Sequence, residues 1–379
     1  MRVHIITSSY PAYPDDPTGT AGHFVRQFAL ELANRGNSVI VQPAGKKPAY
    51  EAENGLSIIP SPWLGGDREL ASMSLLNPFN WLVFLHYFVS GVRNTLKLNR
   101  EHSIERVLCA WAVPSGVFGL AGKLVQNIPY DVWALGSDIW KIRKIPLFGK
   151  WLLKIIMKHA DRVFADGLQL AEEVENLTGT SCQFLCSSRK LPLPHEKMFA
   201  SEPGGLTHLL FVGRYHPNKG PDLLIRAIAC LPDDVRGAIR VDMFGFGPLR
   251  EELVSLVAAL GLQNRVNVNG PLTAQEFSNY LDSASFLVIP SRIESIPVVF
   301  SDALQLGTPV IAMPVGDLGA IIRESGCGIV AEEVSPEALA TAIRMALTTE
   351  KDSFAEGVDK VYERFNVEHA VSAWLGLNP

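Results

Sequence analysis

Short apolar runs alternate with helical periodicity along almost the whole chain. The first set lies at Val3–Thr7, Ser38–Gln42, Arg106–Ala110, Tyr130–Ala134, Arg162–Ala165 and Gln183–Leu185. The second lies at His208–Val212, Arg240–Phe244, Val266–Asn269, Phe286–Ile289, Val310–Ala312 and Gly328–Val330. Most are bounded by Gly, Pro or Asn, as are strands buried on both faces of a parallel sheet. Between them, Phe24–Ala33, Asp222–Leu231, Leu249–Leu260, Glu276–Ser283 and Pro336–Leu347 repeat apolar residues at helical spacing. The pattern predicts α/β architecture written twice, as two doubly wound, Rossmann-like parallel-sheet domains. The Pro- and Gly-rich stretch Leu191–Gly205 marks the expected seam. It sets domains at 1–195 and 196–365. A closing helix within 366–379 carries Val371, Trp374 and Leu375 on one side, which suits docking back towards the first domain.

Composition narrows this picture. A chain of 379 residues exceeds what one core usually organises. A net charge of −5 argues against general nucleic-acid binding. The first strand begins at once, so no signal peptide is expected. The longest apolar run, Trp81 to Val92, is shorter than the roughly 20 residues a spanning helix needs. The five cysteines form no C-x-x-C pair and read as idle thiols, which fits a reduced, cytoplasmic protein. No metal cluster is expected. A simple dinucleotide-binding fingerprint is a poor fit, because G-x-G-x-x-G does not follow the first strand.

Two stretches carry candidate chemistry. Phe211-Val-Gly-Arg-Tyr-His-Pro-Asn-Lys-Gly220 reads as a buried strand and a glycine turn bearing Gly213, Arg214 and Lys219. Arg offers a planar donor fork and Lys a mobile point charge, a division of labour that suits a diphosphate. Pro290–Val310 places Glu294 and Asp302 eight positions apart, the first in a loop and the second near the start of a helix. Carboxylates accept well from sugar and ribose hydroxyls. Ile296, Pro297, Val298 and Val299 would lead into that helix, where free N–H groups attract phosphate. Gly245 and Gly247 would let backbone N–H groups approach an anion. In the first half, Asp138 follows a strand in Gly-Ser-Asp and could orient an acceptor hydroxyl or take its proton. Gly22 and His23 open a helix and could sit under sugar or phosphate. The plainer alternatives are that Glu294 caps a helix or pairs with Arg292, and that Asp302 sits on an exposed face. Together the two acids and two cations suit a nucleotide-diphosphate sugar.

At these residues the chain resembles retaining glycosyltransferases of the GT-B fold, family 4. The resemblance is densest from 208 to 345 and spans Gly213-Arg214, Lys219-Gly220, Gly245-Phe-Gly247 and Glu294…Asp302. It implies two domains facing across a cleft, donor nucleotide on the second and saccharide or lipid-linked acceptor on the first. It also implies retention at the anomeric carbon and no required metal or cofactor. Arg214 and Lys219 would neutralise the leaving diphosphate, Glu294 would hold the sugar and Asp302 the ribose. Three departures stand out. Asp302 replaces the usual Glu, setting the carboxylate back by about 1.5 Å. Leu135 stands where His is usual, and Cys186-Ser-Ser-Arg-Lys190 replaces Asn-Gly-Val-Asp. A sugar-nucleotide epimerase, a phosphorylase and an inactive sugar-nucleotide binder are the rival readings. Lastly, Lys141, Arg143 and Lys144 precede Lys150, Lys154 and Lys158, spaced by four on one helix face. With Trp81–Val92, they make an anionic membrane surface an expected partner in glycolipid or surface-polysaccharide synthesis.

Overall fold

The computed structural model describes residues 1–11, 22–45, 50–51, 55–65, 78–146, 148–199 and 205–377. Residues 12–21 of the first loop and 200–204 of the expected seam lie outside them. The chain divides into two compact units. One runs to Cys186 and resumes at Ala370; the other is Ser187–His369.

The described residues of the first unit form a sheet of eight strands. These are β1 (Arg2–Thr7), β2 (Ser38–Pro43), β3 (Tyr50–Glu51), β4 (Leu56–Ile58), β5 (Arg106–Ala110), β6 (Tyr130–Ala134), β7 (Arg162–Ala165) and β8 (Gln183–Phe184). Their spatial order is β3-β4-β2-β1-β5-β6-β7-β8. All pairs are parallel except β3 with β4. β1 is central, with Ile5 opposite Val41 on one side and Leu108 on the other. Five of its six residues are buried, because helices cover both faces. On one face the helix His23–Asn34 presents Phe24, Val25, Phe28, Ala29 and Leu32 at helical spacing. Phe24 meets the Trp133 ring edge-on at 5.3 Å. On the other face, Tyr87, Phe118, Ile156 and Val174 from four helices join one core.

The second unit holds β9 (Thr207–Val212), β10 (Ile239–Phe244), β11 (Val266–Asn269), β12 (Phe286–Ile289), β13 (Val310–Ala312) and β14 (Gly328–Val330). All pairs are parallel, in the order β11-β10-β9-β12-β13-β14. The connecting helices start on recognisable signals. Thr273 and Glu276 close a capping box ahead of Ala274–Ser283, and Ser335 caps Pro336–Leu347 with proline in its first turn.

The observed division falls at Cys186/Ser187, ahead of the expected boundary at 195. Hydrogen bonds explain the difference. The Leu191 N–H donates to Gln305 Oε1 (3.1 Å), that of His195 to Asn279 Oδ1 (3.1 Å) and that of Met198 to Ser283 Oγ (2.9 Å). This proline-rich strip is therefore laced onto the second unit instead of hanging as a linker. The last helix is Val367–Leu375, and from Ala370 onward it groups with the first unit. There Trp374 is buried against Phe28, and its carbonyl accepts from Arg162 at 2.6 Å.

Candidate active site

Strand order locates the site in the second unit. From β9 the chain steps to β10 and β11 on one side, then returns to β12, β13 and β14 on the other. Such a reversal opens a crevice at the carboxyl ends of the two central strands. The loops that meet there follow β9 and β12, and they carry Lys219 and Glu294. The Lys219 Nζ donates to Glu294 Oε2, forming an ion pair that is partly shielded from solvent. Arg214 lies exposed on the same loop, just past Gly213.

Backbone contacts hold these loops in place. The N–H groups of Arg292 and Ile293 donate to the Asn218 carbonyl (2.8 and 3.3 Å). Arg292 forms a fork onto Asp222, both bonds at 2.7 Å, and a third bond to the Pro217 carbonyl at 3.0 Å. Burial pushes the Asp222 carboxyl up and the Arg292 fork more than offsets it, leaving it below its ordinary range. Arg292 therefore serves Asp222 and leaves Glu294 to Lys219. Gly220 has φ +62°, and a Cβ there would lie 2.0 Å from the Pro290 carbonyl oxygen, so only glycine lets the two loops approach this closely.

Pro297 is the N-cap of the helix Val298–Gln305, and no side chain caps it. Ile296 is buried, while Val298 and Val299 are partly exposed at the helix start. This is the uncapped N-terminus expected beside the phosphates.

Two assignments change. Asp302 does not face the crevice. It is fully buried, and its carboxylate receives a fork from Arg189, with Nε at 3.0 and 3.2 Å and Nη2 at 2.7 Å. The Arg189 guanidinium also stacks 5.3 Å from the Phe277 ring centroid. An acid enclosed in this way ties the segment around Arg189 to the helix and is withdrawn from ribose. Gly245 also acts differently. The Gly245 N–H donates to the Gly270 carbonyl at 3.3 Å. Cβ atoms at Gly245 and Gly247 would lie 1.9 Å from the Gly213 carbonyl oxygen and 2.5 Å from that of Tyr215. Their service is to seat one loop on the next. The Gly213 N–H is likewise bonded, to Phe244 O at 3.0 Å.

Gly22 and Asp138 belong to the first unit. Gly22 is the N-cap of His23–Asn34, and a Cβ there would lie 2.5 Å from the Tyr10 Cα. His23 is the first residue of that helix. Asp138 is 5% exposed, and its two carboxylate oxygens accept from the N–H groups of Ala112 and Leu135 (the latter at 3.1 Å). Both oxygens are thus engaged with backbone, and the residue acts as a tie between the loops after β5 and β6. Burial raises its carboxyl to about 6 despite the N–H bonds. The loop it ties contains Trp111, which holds φ +68° at the carboxyl end of β5. That is an uncommon backbone conformation for a bulky residue. Nothing in the local sequence announces the partners Asp222 and Arg189, which come from distant segments.

Two parallel-sheet α/β units with this crevice are the GT-B fold of glycosyltransferases. A sucrose-phosphate synthase from Thermosynechococcus elongatus superposes with a TM-score of 0.79 at 19% identity, covering 99% of this chain and 97% of that one. The Anabaena protein HepE, solved in complex with UDP-glucose, gives 0.68 at 14% identity over 99% of each chain. In sequence, an uncharacterized glycosyltransferase of Methanocaldococcus jannaschii is 25% identical over 76% of this chain and 78% of its own length. Residues 196–360 match the family model for glycosyl transferases group 1.

Proposed function

We propose that this glycosyltransferase moves a sugar from a nucleotide-diphosphate donor to a hydroxyl acceptor, with retention at the anomeric carbon. The acceptor is a glycolipid or surface polysaccharide under construction. The observation that carries the reading is the meeting of Lys219 and Glu294 at the β9/β12 crevice, beside the uncapped helix start at Val298. A diphosphate entering there brings negative charge to Lys219 and to the helix N-terminus. As the bond from the anomeric carbon to the diphosphate oxygen breaks, charge grows on the leaving group. Lys219 and Arg214 stabilise it, with no metal called for. Donors held ready in this way contribute about 2.7–4 kcal/mol each. Once the phosphates engage Lys219, the Glu294 carboxylate is free to accept from the donor sugar's hydroxyls. HepE and its UDP-glucose support a nucleotide-sugar donor by likeness of fold.

The test is turnover of a panel of UDP-, GDP-, ADP- and dTDP-sugars with simple glycoside acceptors, the product's anomeric configuration being read by NMR. The reading expects transfer from one donor class with retained configuration, abolished in Lys219→Ala. Inversion would overturn retention. Affinity without product would favour a sugar-nucleotide binder, and donor conversion without acceptor an epimerase.

A further inference from the structure

The first unit carries an outward-facing surface that none of the chemistry above uses. The helices Pro78–Glu101, Ser115–Gln126 and Phe148–His159 lie side by side on one face of the sheet. Gly91 of the first abuts Phe118 of the second, and Gly116 of the second abuts Ile156 of the third. Their inner sides fill the core, yet their outer sides are not uniformly polar. Trp81, Leu82 and Leu85 are 65%, 70% and 61% exposed, and Phe148 and Trp151 are 55% and 56% exposed. Helices joining parallel strands start at the strands' carboxyl ends. All five side chains sit in the amino-terminal part of their helices.

Charge on this part of the layer is mainly cationic, although Arg143 pairs with Glu173 of the neighbouring helix at 3.0 Å. Residues 78–101 hold three cations and one acid, and 139–160 hold six cations and no acid, in a chain of net charge −5. Along the long helix the two properties share a single stripe. A shallow groove of about 530 Å³ runs from Leu82, Leu85 and Val89 to Arg93 and Lys97. Beside it the His86 Nδ1 is buried without a hydrogen-bond partner. An apolar end followed by a cationic end matches the chain-to-headgroup order of an anionic lipid. None of the described helices is long and apolar enough to cross a bilayer, so the surface suits lying on one.

We propose that this helical layer docks on an anionic bilayer, with Trp81, Leu82, Leu85, Phe148 and Trp151 entering the interface and the lysines and arginines meeting lipid phosphates. The proposal rests on this surface alone; vesicle binding and donor turnover are separate readouts, so it and the transferase reading fail independently. Flotation of the full chain with phosphatidylcholine vesicles, with or without phosphatidylglycerol, tests it. Expected is binding to the anionic vesicles that weakens as salt rises, and little binding to the neutral ones. Lys150→Gln with Lys154→Gln lowers partitioning about 25-fold, roughly fivefold per cation. Trp81→Ser with Leu85→Ser lowers it at least about tenfold, with the folded state of the variant checked by its cooperative melting transition. Absence of binding to anionic vesicles, or binding unaltered in both double variants, overturns the proposal. So does a dimer in sedimentation equilibrium that Trp81→Ser with Leu85→Ser dissociates, which would assign the surface to a second copy of the chain.

Discussion

Replacing Arg189 with Met should destabilise the second unit more than almost any other single surface-reaching change. Asp302 is fully buried, and Arg189, 21% exposed, supplies three bonds to its carboxylate. Removing the cation leaves a carboxylate in an apolar setting, at a cost of about 3–5 kcal/mol. Met keeps the packing against Phe277 that Ala would lose, so the loss reports on charge. For a unit of this size each kcal/mol lowers the melting temperature by about 2–4 °C, giving a drop of roughly 10 °C. Differential scanning calorimetry of the full chain measures it. Adding Asp302→Asn should recover most of the loss, because no buried charge is then left unpaired. In the single variant the unpaired carboxyl takes up a proton more readily, so part of the loss should also disappear as pH falls. A cost below about 1 kcal/mol, or no recovery in the double variant, would refute the assignment of the pair as a buried lock.

Other consequences follow from single residues. His4 is buried, its Nδ1 2.8 Å from Asn99 Oδ1, and burial lowers its pKa from 6.5 to about 4. The neutral ring is favoured in the folded state, so its contribution is intact above pH 6.5 and is lost as pH falls towards 4, about 3 kcal/mol in all. Urea unfolding across that window should show the slope, and His4→Gln should flatten it. Gly220→Ala places a Cβ against the Pro290 carbonyl at φ +62°. Donor affinity should fall at least about tenfold as the two crevice loops separate, a loss of about 1.4 kcal/mol; calorimetric titration giving wild-type affinity would show that their contact is not needed.

The sheets were legible because their central strands are buried on both faces and read as apolar runs bounded by breakers. The edge strand β3 and its neighbour β4 were missed: they are two and three residues long and show no such run. Lys219 and Glu294 were legible as a pair because each follows a strand, and strands of one parallel sheet deliver their loops to one edge. Asp302 was misassigned because its partner is 113 positions away. Spacing along a helix shows which residues share a face, not what the rest of the chain brings to it. Arg292 and Asp222, 70 positions apart, were hidden for the same reason. Asp138 was correctly placed at the end of a strand, but its two backbone donors depend on a loop conformation that Gly-Ser-Asp does not encode.

The central claim is that Lys219 grips the diphosphate while Glu294 grips the sugar. Calorimetric titration of the wild type, Lys219→Ala and Glu294→Gln with the preferred sugar nucleotide and with its nucleoside diphosphate tests this most directly. Lys219→Ala should weaken both ligands about 10- to 100-fold, the worth of a charge-assisted bond. Glu294→Gln should weaken only the sugar nucleotide and leave the diphosphate bound as well or better, since Lys219 is then unpaired. Equal affinities across the three proteins, or a Glu294→Gln loss shared by both ligands, would contradict it.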